Sequence, residues 1–390
     1  MRTGALSKDN SFSPSDFFFM NQAFTLAKRG KGKTSPNPMV GAVIVKDGNV
    51  IGKGWHRRHG GLHAEAEAVK SVFNAGFSPA GADLYCNLEP CCFNTSDKHQ
   101  PPCTDLIIKN GIKRVYIANF DPNPKVNGKG IALLEKAGIK TKYGLCSEIG
   151  EELNRAFFTF HRLRRPFVHL KIAQSLDGRI AMPDGSSRWI TDETARRMVH
   201  RFRAEYDAVL VGRGTVIADD PELTARLVKG RSPFRIILDS ALAIPETAKV
   251  LSLPEPEKTI IFYSDTADTA KVATAAKLSL SGAKLISVKT DNETKSGGLP
   301  LKQVLTELGK MGIQSVFAEG GAGILSSFLR ERFWDRLSIF TAPVIFGGGV
   351  NSVFDLGLTT MAEAMRFNTG IFRRIGSQML FETDCKHEGF

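Results

Sequence analysis

An alternation of short apolar runs with helical patterns passes through this chain twice, and its restart near residue 160 most narrows the possible folds. In the first pass, residues 15–30 read as an amphipathic helix capped by Asp16 and stopped by Gly30 and Gly32. Met39 to Val45 is an apolar run ending in Lys46-Asp47-Gly48-Asn49, a hairpin signal, with a second strand at Val50 to Trp55. Helices are expected over 62–75, 104–110 and 130–136, with strands over 82–88 and 114–119. His161 to Pro166 is polar, basic and closed by proline, which reads as a linker.

The second pass predicts strands over 167–173, 208–212, 234–238, 259–263 and 315–318, and helices over 191–204, 301–311 and 322–332. Residues 264–298 read as a Lys/Thr/Ser-rich variable stretch and residues 1–13 as a disordered lead. A length of 390 residues suits two domains, and the expected division is an α/β domain over 14–160 and a second over 166–385.

Composition excludes more than it selects. No stretch approaches the roughly 20 apolar residues of a membrane span. The run Phe17-Phe18-Phe19-Met20 is too short and too late for a signal peptide, so a cytoplasmic location is expected, with no membrane partner. The net charge of +12 fits nucleic acid, anionic membranes or phosphorylated small molecules. Basic residues are dispersed, densest at Arg162, Arg164 and Arg165, and rarely interleave with aromatics. That pattern disfavours a nucleic-acid surface and leaves a phosphorylated ligand or a plain solubility charge.

Four of the six cysteines, Cys86, Cys91, Cys92 and Cys103, crowd into one short segment, which in a cytosolic chain points to metal or catalysis rather than disulfides. His63-Ala64-Glu65 stands at the start of a predicted helix, where His63 can approach a metal from the entering chain and Glu65 can reach beneath it. Pro90 is suited to open a helix, and a helix N-terminus beside Cys91 would favour its thiolate; Cys103 follows Pro101-Pro102 in the same way. One histidine and two cysteines leave a fourth tetrahedral position for water, the mark of a catalytic zinc. Zinc acidifies that water and a nearby carboxylate carries its proton, which gives Glu65 a role that a structural zinc site would not need. His-x-Glu followed by Pro-Cys is the pattern of zinc deaminases.

Taken in order, Thr34-Ser35-Pro36-Asn37-Pro38-Met39-Val40-Gly41, His63-Ala64-Glu65, Leu88-Glu89-Pro90-Cys91, Pro101-Pro102-Cys103 and Asp121-Pro122-Asn123-Pro124 resemble the deaminase half of the bifunctional deaminase–reductases of riboflavin biosynthesis. The resemblance runs from about residue 15 to 385. It implies a cytidine-deaminase-like α/β/α domain that hydrolyses the 2-amino group of a diaminopyrimidinone ribosyl phosphate. It also implies substrate contacts from Asn37, His56, Asp121 and Asn123. Read alone, Asn37 and Asp121 precede prolines and serve equally as turn residues. The chain departs from the family between its two cysteines, where it is three residues longer. Phe93 replaces the family's histidine there, and Lys98 or His99 is the expected substitute for the missing contacts.

The second half lacks a Gly-x-Gly-x-x-Gly dinucleotide signature. It has Gly212-Arg213-Gly214-Thr215 and Gly320-Gly321-Ala322-Gly323, both at strand-to-helix turns that let backbone N–H groups meet a phosphate or serve as ordinary turns. Lys171-Ile172-Ala173-Gln174-Ser175-Leu176-Asp177-Gly178-Arg179, Ser187-Arg188-Trp189-Ile190-Thr191, Asp219-Asp220-Pro221, Leu238-Asp239-Ser240 and Glu319-Gly320-Gly321 resemble the reductase half of the same family, which is similar in fold to dihydrofolate reductase. The resemblance implies NADPH held near Ala173, Trp189, Thr215, Asp219, Ser240, Gly321, Ala322, Gly323, Ile324, Leu325, Ser326 and Ser327. It implies substrate contacts from Ser187, Arg203, Leu223, Arg226 and Glu319. Arg203 and Arg226 are forked cations suited to phosphate, or to a solvated surface.

The expectation is therefore a homo-oligomeric two-step enzyme using Zn2+ and NADPH on a phosphorylated pyrimidine. The alternative is a reductase whose deaminase half is only structural. A base deaminase acting on nucleic acid is disfavoured by the fused reductase-like half.

Overall fold

A computed structural model describes residues 11–94, 100–187, 189–265, 269–290, 298–367 and 369–385. The part of the N-terminal lead up to residue 10, and Arg188, Lys98 and His99, lie outside the described residues. The chain divides between Leu163 and Arg164 into two compact units.

In the first unit the order is α1 Pro14–Ala27, β1 Gly41–Lys46, β2 Asn49–Trp55, α2 Ala64–Asn74, β3 Asp83–Leu88, α3 Cys103–Lys109, β4 Arg114–Asn119, α4 Lys129–Lys136, β5 Lys140–Tyr143, α5 Ser147–Leu153 and α6 Arg155–Leu163. The sheet runs β2-β1-β3-β4-β5, antiparallel over its first three strands and parallel thereafter. Side chains alternate across it. Ala42, Ile44, Leu84 and Ile117 face a core with Ala68 and Val72 of α2 and Leu134 of α4. Val43, Val45, Tyr85 and Tyr116 face Phe19, Met20 and Phe24 of α1. A strand buried on both faces must be apolar throughout, which is why β1 reads as an unbroken hydrophobic run. The hairpin turn places Asp47 and Gly48 at φ 50° and 75°, as a tight two-residue connection requires.

Three sequence expectations change here. The cap of α1 is Ser13, not Asp16; Asp16 completes a capping box from the third helical position. The supposed linker from His161 begins inside α6, because Phe157 and Phe158 pack against Leu88 and hold that basic segment helical. Cys91 opens no helix: residues 91–94 have no regular structure, and only Cys103 begins one.

The second unit contains β6 Phe167–Gln174, β7 Arg179–Ala181, α7 Glu193–Glu205, β8 Ala208–Gly212, α8 Arg213–Asp219, β9 Phe234–Leu238, β10 Thr259–Ser264, α9 Thr269–Leu280, β11 Lys284–Val288, α10 Leu301–Lys310, β12 Ser315–Ala318, α11 Ala322–Arg330, β13 Arg336–Thr341, β14 Val350–Asn351, β15 Gly370–Ile375 and β16 Gln378–Asp384. Its main sheet is ordered β11-β10-β9-β8-β12-β6-β13-β16-β15. It is parallel as far as β13 and antiparallel over the last two strands. One face packs on Leu305 and Leu308 of α10 and Phe328 of α11, the other on Ala195 and Val199 of α7. Both units are α/β. The Lys/Thr/Ser-rich segment 264–298 includes α9 and β11, with Leu278 and Val288 buried despite the polar residues around them.

Candidate active sites

His63 is the N-cap of α2, with extended backbone at φ −71° and ψ 162°, while Glu65 lies in the first turn. Cys103 starts α3 and Cys91 follows β3. Their donor atoms converge: His63 Nδ1 is 3.5 Å from Cys91 Sγ and 3.4 Å from Cys103 Sγ. Among the described residues these three form a group able to hold a metal, all donor atoms lying within 4.8 Å of one another. A tetrahedral zinc with bonds of about 2.3 Å to sulfur and about 2.0 Å to nitrogen separates such atoms by roughly 3.5 Å, so the donor triangle fits.

The electrostatics suit this reading. The hydrogen bond with Cys103, aided by His63, draws the Cys91 thiol well below its usual range, and the same bond, together with burial, pushes Cys103 up. The Cys103 backbone N–H, the first of α3, donates to Cys91 Sγ at 3.4 Å, so the helix start that favours the Cys91 thiolate is that of α3. Glu65 is 3% exposed, and burial raises its carboxyl above the usual range despite the nearby His63. A carboxyl raised in this way binds a proton more tightly than an exposed carboxylate, as a proton carrier must.

Asn37 and His56 meet beside this centre. The His56 ring lies edge-on to His63 with centroids 5.5 Å apart. His56 Nδ1 is 2.9 Å from the Leu62 carbonyl, which can only accept, so Nδ1 carries the proton. Nε2 then accepts from Asn37 Nδ2 at 3.1 Å. Asp121 and Asn123 instead shape a turn: Asp121 Oδ1 accepts from the Asn123 N–H and Asn123 Oδ1 from the Lys125 N–H. Glu89 anchors that turn by accepting from the N–H groups of Asp121, Gly128, Gly130 and Ile131. Its part in the site was not read from sequence, because those four donors become neighbours only on folding.

In the second unit a cleft of about 650 Å³ opens among β6, β8, α7 and the start of α11. Ala173, Ser187, Trp189, Thr215, Asp219, Gly321 and Leu325 line it, together with Arg203, Leu223, Arg226 and Glu319. Trp189 is 68% exposed, with the Arg196 guanidinium 4.4 Å over its ring, so it is not core. Gly321 caps α11 and its N–H donates to Thr215 Oγ1 at 3.2 Å, joining the two glycine turns. Ser240, Ala322, Gly323, Ile324, Ser326 and Ser327 do not line the cleft. Ser326 Oγ accepts from the Phe354 N–H, Ser327 Oγ donates to the Gly323 carbonyl, and the Ser240 carbonyl accepts from the Ser264 N–H. Among the other lining residues, Lys171 and His200 carry titratable groups to which the sequence assigned no role. The signal for His200 was available, since it stands three residues before Arg203 and so on the same face of α7.

Residues 14–119 match the cytidine and deoxycytidylate deaminase zinc-binding region, and residues 166–381 match the RibD C-terminal domain. The riboflavin biosynthesis protein RibD of Aquifex aeolicus is 42% identical over 363 residues, 93% of this chain and 96% of that protein. That of Bacillus amyloliquefaciens is 45% identical, covering 85% of each chain. The chain belongs to the RibD family. Among solved structures, RibD of Acinetobacter baumannii superposes with a TM-score of 0.84 at 34% identity, covering 95% of this chain and 99% of the other. A diaminohydroxyphosphoribosylaminopyrimidine deaminase/5-amino-6-(5-phosphoribosylamino)uracil reductase of Thermotoga maritima does so with 0.80 at 37% identity and the same coverage.

As a member of the RibD family, the chain is a bifunctional deaminase and reductase of riboflavin biosynthesis, using zinc in the first activity and NADPH in the second. The two-activity reading thereby prevails over a reductase with an inert first half. No helix among the described residues is long and apolar enough to cross a membrane.

Proposed function

We propose that a deaminase domain over residues 14–160 and a reductase domain over 166–385 perform consecutive steps on one phosphorylated pyrimidine. The first removes the 2-amino group of 2,5-diamino-6-(5-phosphoribosylamino)pyrimidin-4(3H)-one by hydrolysis. The second reduces the ribosyl group to a ribitylamino group. The observation that carries the reading is the His63, Cys91 and Cys103 donor triangle with the buried Glu65 against it.

Zinc bound there would supply an acidified water as the nucleophile. His63, Cys91 and Cys103 would hold it, and Glu65 would take the proton of the attacking water and pass it to the departing amine. Asn37 and His56, fixed to each other, would orient the pyrimidine, with Asp121 and Asn123 forming the neighbouring wall.

NADPH bound in the second cleft would supply the hydride that reduces C1′ of the opened ribose. Gly321, at the mouth of α11, lets backbone N–H groups approach the cofactor's phosphates, with Ala322 to Ser327 building that helix start. Trp189, Ala173, Thr215 and Asp219 would border the cofactor. Arg226, 51% exposed at its side chain, would meet the substrate phosphate, while Arg203 and Glu319 form the floor with Leu223 and Ser187. A homo-oligomer in the cytoplasm, with no nucleic-acid or membrane partner, completes the proposal.

The test uses purified, zinc-loaded chain and the diaminopyrimidinone phosphate. Ammonia release without NADPH, followed by NADPH oxidation once it is added, is the expected result. Absence of both with zinc bound would overturn the reading.

A further inference from the structure

Gln100 stands at the end of the lengthened stretch between the two cysteines, immediately before Pro101-Pro102-Cys103. Its side chain spans two of the three metal-binding residues. Oε1 accepts from the backbone N–H of His63 at 3.0 Å, and Nε2 points at Cys103 Sγ at 3.9 Å. The orientation of the amide follows from chemistry. A backbone N–H can only donate, so the oxygen must face His63, and this turns the N–H2 group to the sulfur.

We infer that Gln100 is a positioning residue of the zinc centre, clamping the entrance of α2 to that of α3 and donating an N–H to the Cys103 thiolate. His63 is the N-cap of α2 and Cys103 the first residue of α3, so the two ligands come from two helix starts forty positions apart in sequence. Only a side chain with both an acceptor and a donor can tie them together through one group. A longer loop leaves the approach of Cys103 less constrained by the chain itself. The amide restores the constraint at the last residue before the prolines. A hydrogen bond to a thiolate ligand draws off charge from the sulfur, and partners of this kind commonly change metal affinity by about 10–100-fold when removed.

The inference rests on His63, Cys91 and Cys103 being the zinc ligands, and the experiment separates the two ideas. Zinc affinity is measured by chelator competition on the full chain, and the absorption of thiolate-to-metal charge transfer is recorded with cobalt in place of zinc. Wild-type chain that takes up no metal would overturn the ligand assignment itself. With wild-type binding in hand, Gln100→Ala is expected to weaken zinc by about tenfold or more. Gln100→Glu keeps an acceptor for the His63 N–H and removes the donor to sulfur. Its cobalt band is expected to move to longer wavelength, because the thiolate becomes more electron-rich. Thermal unfolding of the metal-free variants, together with their NADPH oxidation on the deaminated substrate, establishes that each is folded. Folded variants whose cobalt bands coincide with wild type would overturn the inference even if zinc affinity fell, since a purely structural loop residue would behave that way.

Discussion

The guanidinium of Arg203 and the carboxylate of Glu319 meet in a two-pronged ion pair, Nε to Oε1 at 2.5 Å and Nη2 to Oε2 at 2.9 Å. Nη1 of the same arginine donates to the Thr224 carbonyl at 3.2 Å. Sequence reading gave both residues to the substrate. In the structure each first satisfies the other, with side chains only 12% and 7% exposed. Glu319 is drawn below the usual carboxylate range: burial alone would raise it, and Arg203 and Lys171 outweigh that effect.

Glu319→Gln should therefore strand a buried cation. Breaking one side of a buried pair costs about 3–5 kcal/mol. Thermal unfolding should record that loss and NADPH oxidation should fall with it, whereas ammonia release by the other unit should persist. Equal loss of both activities would argue against a local role in the reductase cleft.

The two glycines before α11 separate packing from binding. A Cβ on Gly320 would lie 2.6 Å from Ile324 Cβ, while one on Gly321 would meet only Thr215 Oγ1, at 3.7 Å. Gly320→Ala should destabilise the fold. Gly321→Ala should leave melting nearly unchanged yet raise the KM for NADPH severalfold, by crowding the backbone approach to phosphate. Steady-state kinetics beside calorimetry on both variants would check this, and an unchanged KM in Gly321→Ala would remove that glycine from the cofactor site.

Acid stability should carry the signature of His200. Burial, reinforced by Arg203 and Arg226 and opposed by Glu319, lowers its pKa from 6.5 to about 4. The unfolded chain thus binds the extra proton first. His200 contributes no penalty above about pH 6.5 and destabilises progressively as pH falls towards 4. His200→Gln should flatten the decline in melting temperature across that window. A decline as steep as in the wild type would show that other groups control it.

Metal analysis addresses the spacing of the cysteines. One zinc per chain is expected, falling to a small fraction in Cys103→Ser, since the softer thiolate and one corner of the donor triangle are lost together. Full retention of zinc in that variant would mean that another residue closes the site.

Much of this was legible in sequence because the signals are local. Glycine turns and strands buried on both faces each reveal themselves within a few residues, and so did His63, Glu65, Cys91 and Cys103. What stayed hidden depends on partners far along the chain. The cradle of N–H groups around Glu89 and the capture of Arg203 by Glu319, 116 positions away, exist only once the sheets have formed. The helix carrying His161 was obscured because its basic composition masked the packing of Phe157 and Phe158.

The role of Glu65 as the proton carrier of the deaminase is tested most directly by one comparison. Glu65→Gln, with zinc content verified, is given NADPH and either the diamino substrate or its deaminated product. The account predicts ammonia release reduced by about 10²–10⁴-fold, with NADPH oxidation on the deaminated product unchanged. Turnover of the diamino substrate at the wild-type rate would contradict it.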